Sequence, residues 1–147
     1  MRFLALDVGE VRVGVAVSDE LELAAYPVLT YVRQGSLKKD VAAVSLIAAE
    51  QEVDAIVVGL PTSLDGSEGP QAKRTQGFAR SLASAAKLPL VMWDESMTSV
   101  DAEERMLMLD FSRAKRKLVR DQWAAVIILE TYLEYRKISN IRRDSLK

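Results

Sequence analysis

Residues 2–18 read RFLALDVGEVRVGVAVS, and this stretch decides the fold. Residues 2–7 form an apolar run that ends in the carboxylate of Asp7. Residues 8–10 have the composition of a turn, and residues 12–18 form a second run rich in β-branched side chains. The stretch therefore predicts a β-hairpin whose first strand ends in an acidic side chain.

The elements after the hairpin alternate between strands and helices. A third strand is predicted at residues 26–32, and Ser36 is a helix-cap candidate before apolar residues spaced by three and four. Further strands are predicted at residues 54–61 and 88–93, and further helices at residues 70–86, 98–109 and 120–136. The basic tail beyond Tyr135 is expected to fray. This order predicts an α/β domain over residues 1–147, with a mixed five-stranded sheet and helices on both faces.

Composition excludes several kinds of chemistry. The 147 residues suit one domain, and they include no cysteine and no histidine. Disulfides, thiolate nucleophiles and Ser-His-Asp triads are therefore excluded, and a metal site would be built from oxygen ligands, which suits Mg²⁺ or Mn²⁺. No apolar run approaches the roughly 20 residues of a membrane span, and Asp7 comes too early for a secretory leader. A cytoplasmic protein without membrane association is expected.

Carboxylates stand where elements are predicted to end or begin. Asp7 closes the first strand, residues 94–95 close the fifth, and Asp121 opens the predicted last helix. Each has a plain structural role when taken alone, in a turn or as a helix cap. Ligands of open α/β sheets gather at the carboxyl ends of the strands, and carboxylates that meet there repel unless cations bind between them. Together these residues predict a metal site.

Four motifs follow one another along the chain. They are DVGEVRVGVAVS at residues 7–18, VGLP at 58–61 with DGS at 65–67, DESMTSVDA at 94–102, and KRK at 115–117 with DQWAAVIIL at 121–129. In this order, over about residues 3–135, they resemble the YqgF (RuvX-like) family of nucleases, which have a ribonuclease H-like fold similar to that of RuvC. Val11 and Ser96 depart from the family, which often has Lys and Arg there. Both departures remove a cation near the expected site.

The resemblance implies that Asp7, Glu95 and Asp121 are catalytic and hold divalent metal, as two Mg²⁺ or Mn²⁺ ions. Two-metal hydrolysis of phosphodiesters needs carboxylates and no histidine, which this chain can supply. The chain also has a dense basic run directly before Asp121. Such a run is usually a solvated surface, but its place beside a predicted metal ligand favours phosphate binding. The residues expected to contact nucleic acid are Arg12, Arg113, Lys115, Arg116, Lys117 and Arg120.

The resemblance implies a metal-dependent nuclease that matures the 5′ end of pre-16S rRNA, with RNA as the preferred partner and DNA as a possible one. The alternative within the family is a Holliday junction resolvase in DNA recombination, which calls for a homodimer with paired sites, whereas a monomer favours RNA. Two other classes remain open. The hairpin at residues 7–9 also resembles the phosphate hairpin of actin-like ATPases, and the chain could be a non-catalytic RNA-binding assembly factor.

Overall fold

The computed structural model describes the backbone of residues 1–61, 69–94 and 113–145, and the side chains of residues 1–61, 69–94 and 120–141. Over these ranges the chain forms five strands and three helices. In chain order they are β1 (Phe3–Val8), β2 (Arg12–Ser18), β3 (Ala25–Val32), α1 (Leu37–Glu50), β4 (Ala55–Leu60), α2 (Pro70–Ala86), β5 (Leu90–Asp94) and α3 (Arg113–Ser145).

The five strands form one mixed sheet in the order β3-β2-β1-β4-β5. The first three strands are antiparallel, and β4 and β5 run parallel to β1. The hairpin and the mixed five-stranded sheet predicted from the sequence are both confirmed. Because β1, β4 and β5 are parallel, their carboxyl ends meet at one edge of the sheet.

Alternation along the strands divides the core into two layers. Leu4 and Leu6 of β1 face one side, where they pack with Val44 of α1 and Phe78 of α2. Phe3 and Ala5 face the other side. There they pack with the inward face of α3, represented by Ala125, Ile128 and Leu129. Helices therefore cover both faces of the sheet, as predicted.

The first two helices begin where their cap signals predict. The Ser36 side chain accepts a hydrogen bond from the backbone N–H of Lys39 at 3.3 Å, which satisfies one of the free donors of the first turn of α1. Pro70 is the first residue of α2, where its missing N–H costs no helical hydrogen bond. Lys87 ends α2 in the left-handed conformation.

The last helix is longer than predicted at both ends. It begins at Arg113 rather than at residue 120, and it continues to Ser145 through the tail that was expected to fray. Lysine and arginine are good helix formers, so the basic segment joins the helix. Asp121 is consequently the ninth residue of α3 rather than an N-terminal cap, beyond the reach of the helix dipole. The helix predicted at residues 98–109 lies outside the described residues.

Gly14 fixes the distance between β2 and α3. A Cβ built on Gly14 would overlap the backbone carbonyl of Asp121 and would lie 2.8 Å from the Asp121 Cβ. Any side chain at this position would push the helix away from the sheet. The absence of a side chain at Gly14 therefore permits the close approach of α3 to β2.

Replacement of Gly14 by Ala should lower the free energy of unfolding by at least about 2 kcal/mol, because the added methyl group meets backbone atoms that cannot rotate away. Gly77 of α2 is the matched control, since a Cβ there has no heavy atom within 4 Å. Gly77→Ala should be neutral or stabilising by up to about 1 kcal/mol, as is usual for glycine in a helix. Urea unfolding of both variants measures the difference, and equal midpoints would contradict this account of Gly14.

Candidate active site

Asp7 and Asp121 flank the same glycine. Asp7 is the antiparallel partner of Gly14 in the β1–β2 ladder, and residues paired in this way project to the same face of the sheet. That face is the one covered by α3, whose backbone at Asp121 lies against Gly14. The structure therefore brings these two predicted carboxylates together near the carboxyl edge of β1.

Arg12 is in direct contact with one of these carboxylates, that of Asp121. It is the first residue of β2, two positions before Gly14, and so it has the same facing. Its Nε donates a hydrogen bond to Oδ2 of Asp121 at 3.0 Å, and the side chains of Arg12 and Asp121 are 37% and 21% exposed. A residue predicted to contact nucleic acid is thus in an ion pair with a predicted metal ligand.

The end of β5 approaches the same edge from the other side of β4. Asp94 is in register with Leu60, the last residue of β4. Because neighbouring strands are about 4.8 Å apart, β5 lies two spacings, roughly 10 Å, from β1. Val91 and Trp93 pack on the α3 side, whereas Leu90 and Met92 pack on the side of α1 and α2. By the same alternation, Asp94 belongs to the side of Leu90 and Met92.

Glu95 lies outside the described residues, so its part in the site stays a prediction. In sequence it directly follows Asp94, the last residue of β5. Among the side chains described over residues 1–61, 69–94 and 120–141, no three acidic groups are close enough to hold a metal ion. The expected triad includes Glu95, which is not among these side chains.

The basic cluster of the sequence belongs to the beginning of α3. The side chains of residues 113–119 are outside the described set, but their backbone is helical, and the exposed Arg120 directly precedes Asp121. Positions three and four apart share one side of a helix. Positions 113, 116, 117 and 120 therefore lie along one side of α3, and position 115 does not.

Sequence reasoning missed a buried network beside the β1–β2 turn. Asp40 of α1 is 1% exposed and accepts hydrogen bonds at 2.9 Å from the Tyr31 hydroxyl, the Nε of Arg33 and the backbone N–H of Gln34. The signal was present in the helical spacing, because Asp40 is four residues before the buried Val44 and so lies on the apolar side of α1. A carboxylate on that side needs partners.

Arg33 connects this network to the β1–β2 turn. Its Nη1 donates to the carbonyl of Gly9 at 3.0 Å, and its backbone N–H donates to the carbonyl of Val11 at 2.8 Å. The backbone N–H of Gly9 also donates to the carbonyl of Arg12 at 2.8 Å, which closes the turn. The turn that separates Asp7 from Arg12 is thus held from the side of the sheet opposite α3.

Asp40 stays ionised in this network. Burial opposes its charge, but the hydrogen bonds from Gln34, Arg33 and Tyr31 outweigh that effect and hold the Asp40 pKa below its ordinary value of 3.8. Burial and the bond to Asp40 raise the pKa of Tyr31. Arg33 and Asp40 therefore form a charged pair at neutral pH.

The sheet order, the helices on both faces and the carboxylates at one strand edge define a ribonuclease H-like α/β fold. This is the fold of RuvC. The Thermus thermophilus RuvC structure matches with a TM-score of 0.63 over 95% of this chain and 97% of that chain, at 17% identity. The structure of T. thermophilus RuvC in complex with Holliday junction substrate matches with a TM-score of 0.61, over 93% of this chain and 96% of that chain, also at 17% identity.

Sequence comparison identifies the family. The family model described as "RuvX: Holliday junction resolvase" matches residues 1–135. A Myxococcus xanthus protein is 46% identical over 91% of this chain and 88% of its own length, and one from Thermoanaerobacter pseudethanolicus is 42% identical over 93% and 99%. Both bear the name "Putative pre-16S rRNA nuclease". The chain belongs to the RuvX family, and thereby to the nucleases, which hydrolyse phosphodiester bonds.

Replacement of Asp40 by Asn should lower the free energy of unfolding at pH 7 by about 3 kcal/mol, because it leaves the partly buried Arg33 without a counter-charge. The folded-state pKa of Asp40 is depressed, so its contribution is complete above about pH 5, where the unfolded carboxyl is also ionised, and is lost as the pH falls through that lowered pKa. Urea midpoints measured from pH 7 to pH 3 should therefore show the two proteins converging in acid.

Glu10→Gln provides the control for this substitution. Glu10 is in an ion pair with Arg74, and their side chains are 71% and 66% exposed, so its loss should change stability by under about 0.5 kcal/mol. A constant difference between wild type and Asp40→Asn across the whole pH range would show that the charge of Asp40 is not the cause.

Proposed function

We propose that this protein is a metal-dependent nuclease that trims the 5′ end of the 16S rRNA precursor, with Asp7, Glu95 and Asp121 as its metal ligands. One observation carries the proposal. Asp121 of α3 approaches Gly14, the cross-strand partner of Asp7, so carboxylates from two separate elements meet at the carboxyl edge of the sheet. Carboxylates held this close by the fold favour a cation between them.

The residues fit a divalent ion of the Mg²⁺ or Mn²⁺ type. The donors are carboxylate oxygens, Asp7 is half-buried, and Asp121 already accepts a cationic partner in Arg12. Bound ions would activate a water molecule and stabilise the leaving oxygen of a phosphodiester. Asp7 and Asp121 hold their positions because β1, β2 and α3 are packed together, and Arg12 is within reach of a phosphate bound there.

RNA is the substrate that we favour. The relatives at 42–46% identity are named for pre-16S rRNA, and the basic side of α3 leads up to Asp121 along positions 113, 116, 117 and 120. We further propose that the protein acts in the cytoplasm, as a monomer or a homodimer. No helix in the described part of the chain is long and apolar enough to cross a membrane.

A DNA four-way junction is the alternative substrate, and the description of the family model as a Holliday junction resolvase favours it. Symmetric cleavage of a junction needs two sites related by a two-fold axis. The oligomeric state in solution and the cleavage assay therefore discriminate together between the two substrates: a dimer favours the junction, and a monomer favours RNA.

The test is cleavage of single-stranded RNA, a precursor-like RNA, single-stranded DNA and a four-way junction by the purified protein with Mn²⁺ or Mg²⁺. Asp7→Asn and Asp121→Asn should each lower the rate on the cleaved substrate by at least about 100-fold, because each removes a charge that binds the metal. Excess EDTA should abolish cleavage, and thiol reagents should have no effect because the chain has no cysteine.

Two adjacent residues provide a sharp control for the third ligand. Glu95→Gln should lose activity like the other two variants. Asp94→Asn should keep most of its activity, since Asp94 shares the side of Leu90 and Met92, opposite α3. Full hydrolysis in EDTA, or wild-type rates in both Asp7→Asn and Asp121→Asn, would refute the metal-dependent nuclease.

The basic side of α3 leads to a separate prediction about how RNA affinity depends on salt concentration. Removal of one side chain that binds a phosphate of single-stranded RNA should reduce the slope of log K against log salt by roughly 0.7. The double variant Arg116→Ala/Lys117→Ala should therefore lose about 1.4 units of slope. Lys115→Ala is the matched control, since position 115 lies away from that side and should keep the wild-type slope. Equal slopes for all three proteins, measured by RNA anisotropy, would assign the cluster to a solvated surface.

A further inference from the structure

The ion pair between Arg12 and Asp121 points to a role for Arg12 beyond a simple contact with nucleic acid. We propose that Arg12 takes the place of the cation at Asp121 in the metal-free protein, and that divalent metal displaces it towards the substrate phosphate. The inference rests on the proposed metal site, and it adds an order of events in which metal binds before Arg12 engages the RNA.

The packing decides which partner moves. The backbone of Asp121 lies against Gly14, and Ala125, Ile128 and Leu129, one to two turns further along α3, are buried against the sheet, so Asp121 is fixed relative to β2. Arg12 reaches Asp121 only through its long side chain, which is 37% exposed. Rotation of that side chain separates the pair without any change in the backbone.

Charge gives the reason for the exchange. Asp7 and Asp121 place two carboxylates at Gly14, and the guanidinium of Arg12 offsets part of that negative charge. A divalent ion adds two positive charges at the same place and so repels the guanidinium. Arginine does not lose its proton near neutral pH, so it leaves Asp121 by moving. A phosphate oxygen pair is a suitable new partner, because the planar guanidinium can bind it through two hydrogen bonds.

Mn²⁺ binding to the purified protein, measured by calorimetry without RNA, tests the competition directly. Arg12→Gln removes the competing cation and should tighten Mn²⁺ binding by roughly three- to tenfold, the range expected for a partly exposed charged hydrogen bond. Arg12→Lys keeps the charge and should stay closer to wild type.

Arg74→Gln is the matched control for net charge. Arg74 contacts Glu10 of the same β1–β2 turn, it is largely exposed, and its Nη2 donates to that carboxylate rather than to Asp121. The variant loses one positive charge, as Arg12→Gln does, but should change Mn²⁺ affinity by less than twofold. Equal affinities in Arg12→Gln and Arg74→Gln would overturn the proposal.

RNA binding, measured by anisotropy, tests the second part of the proposal, in which Arg12 engages RNA only after metal has bound. In EDTA, Arg12 is held by Asp121, so Arg12→Gln should bind RNA within twofold of wild type. With Ca²⁺ as the divalent ion, Arg12 is released, and the same variant should bind RNA at least threefold more weakly than wild type. An equal loss in both conditions would show that Arg12 contacts RNA regardless of metal, and would also overturn the proposal.

Asp121→Asn separates a failure of this inference from a failure of the proposed function. If that variant binds Mn²⁺ as wild type does, the metal site is wrong, and both the function and the inference fall. If Asp121→Asn loses at least tenfold in Mn²⁺ affinity while Arg12→Gln behaves like Arg74→Gln, the metal site stands and only the role of Arg12 is refuted.

Discussion

The contact between Gly14 and the backbone of Asp121 is the constraint on which the rest of the site depends. It sets how closely α3 lies on the sheet, and it places Asp121 beside the strand pair that carries Asp7 and Arg12. A larger residue at position 14 would move the helix outward, and the ion pair at Asp121 would separate with it. One missing side chain thus determines both the packing of a core layer and the spacing of two carboxylates.

On the opposite side of the sheet, hydrogen bonds rather than close packing hold the β1–β2 turn. There the ion pair between the buried Asp40 and the partly exposed Arg33 holds the β1–β2 turn through the carbonyls of Gly9 and Val11. The guanidinium of Arg33 also lies over the ring of Phe78, 5.2 Å from its centre, which ties the network to α2. Steric fit on one side and charged hydrogen bonds on the other thereby hold the turn between Asp7 and Arg12.

The sequence predicts best what short-range patterns control. The hairpin, the caps at Ser36 and Pro70, and the strand ending near Leu60 follow from alternation, cap chemistry and apolar runs. The beginning of α3 was missed because residues 113–117 carry charge without apolar periodicity, and helix formation there depends on continuation into the buried segment.

The contacts between side chains at the candidate site could not be predicted from the sequence, because they join elements that are separate in the chain. Asp7 and Asp121 could be singled out because motifs mark them, but the pairing of Arg12 with Asp121 spans 109 positions. The partners of Asp40 likewise come from β3 and the segment after it, and no local pattern ties them to a helix residue. Motifs identify chemical groups, whereas the neighbours of those groups depend on how separate elements pack.

The place of α3 in chain order has a consequence for biosynthesis. During translation the hairpin of β1 and β2 is made long before the helix that supplies Asp121, and domains are built from the amino end onward. Until α3 docks, the apolar face formed by Phe3, Ala5 and Ala16 is uncovered, and one of the two paired carboxylates is missing. A nascent or prematurely ended chain therefore lacks the assembled candidate site, and the two carboxylates come together only in molecules whose second core layer is closed.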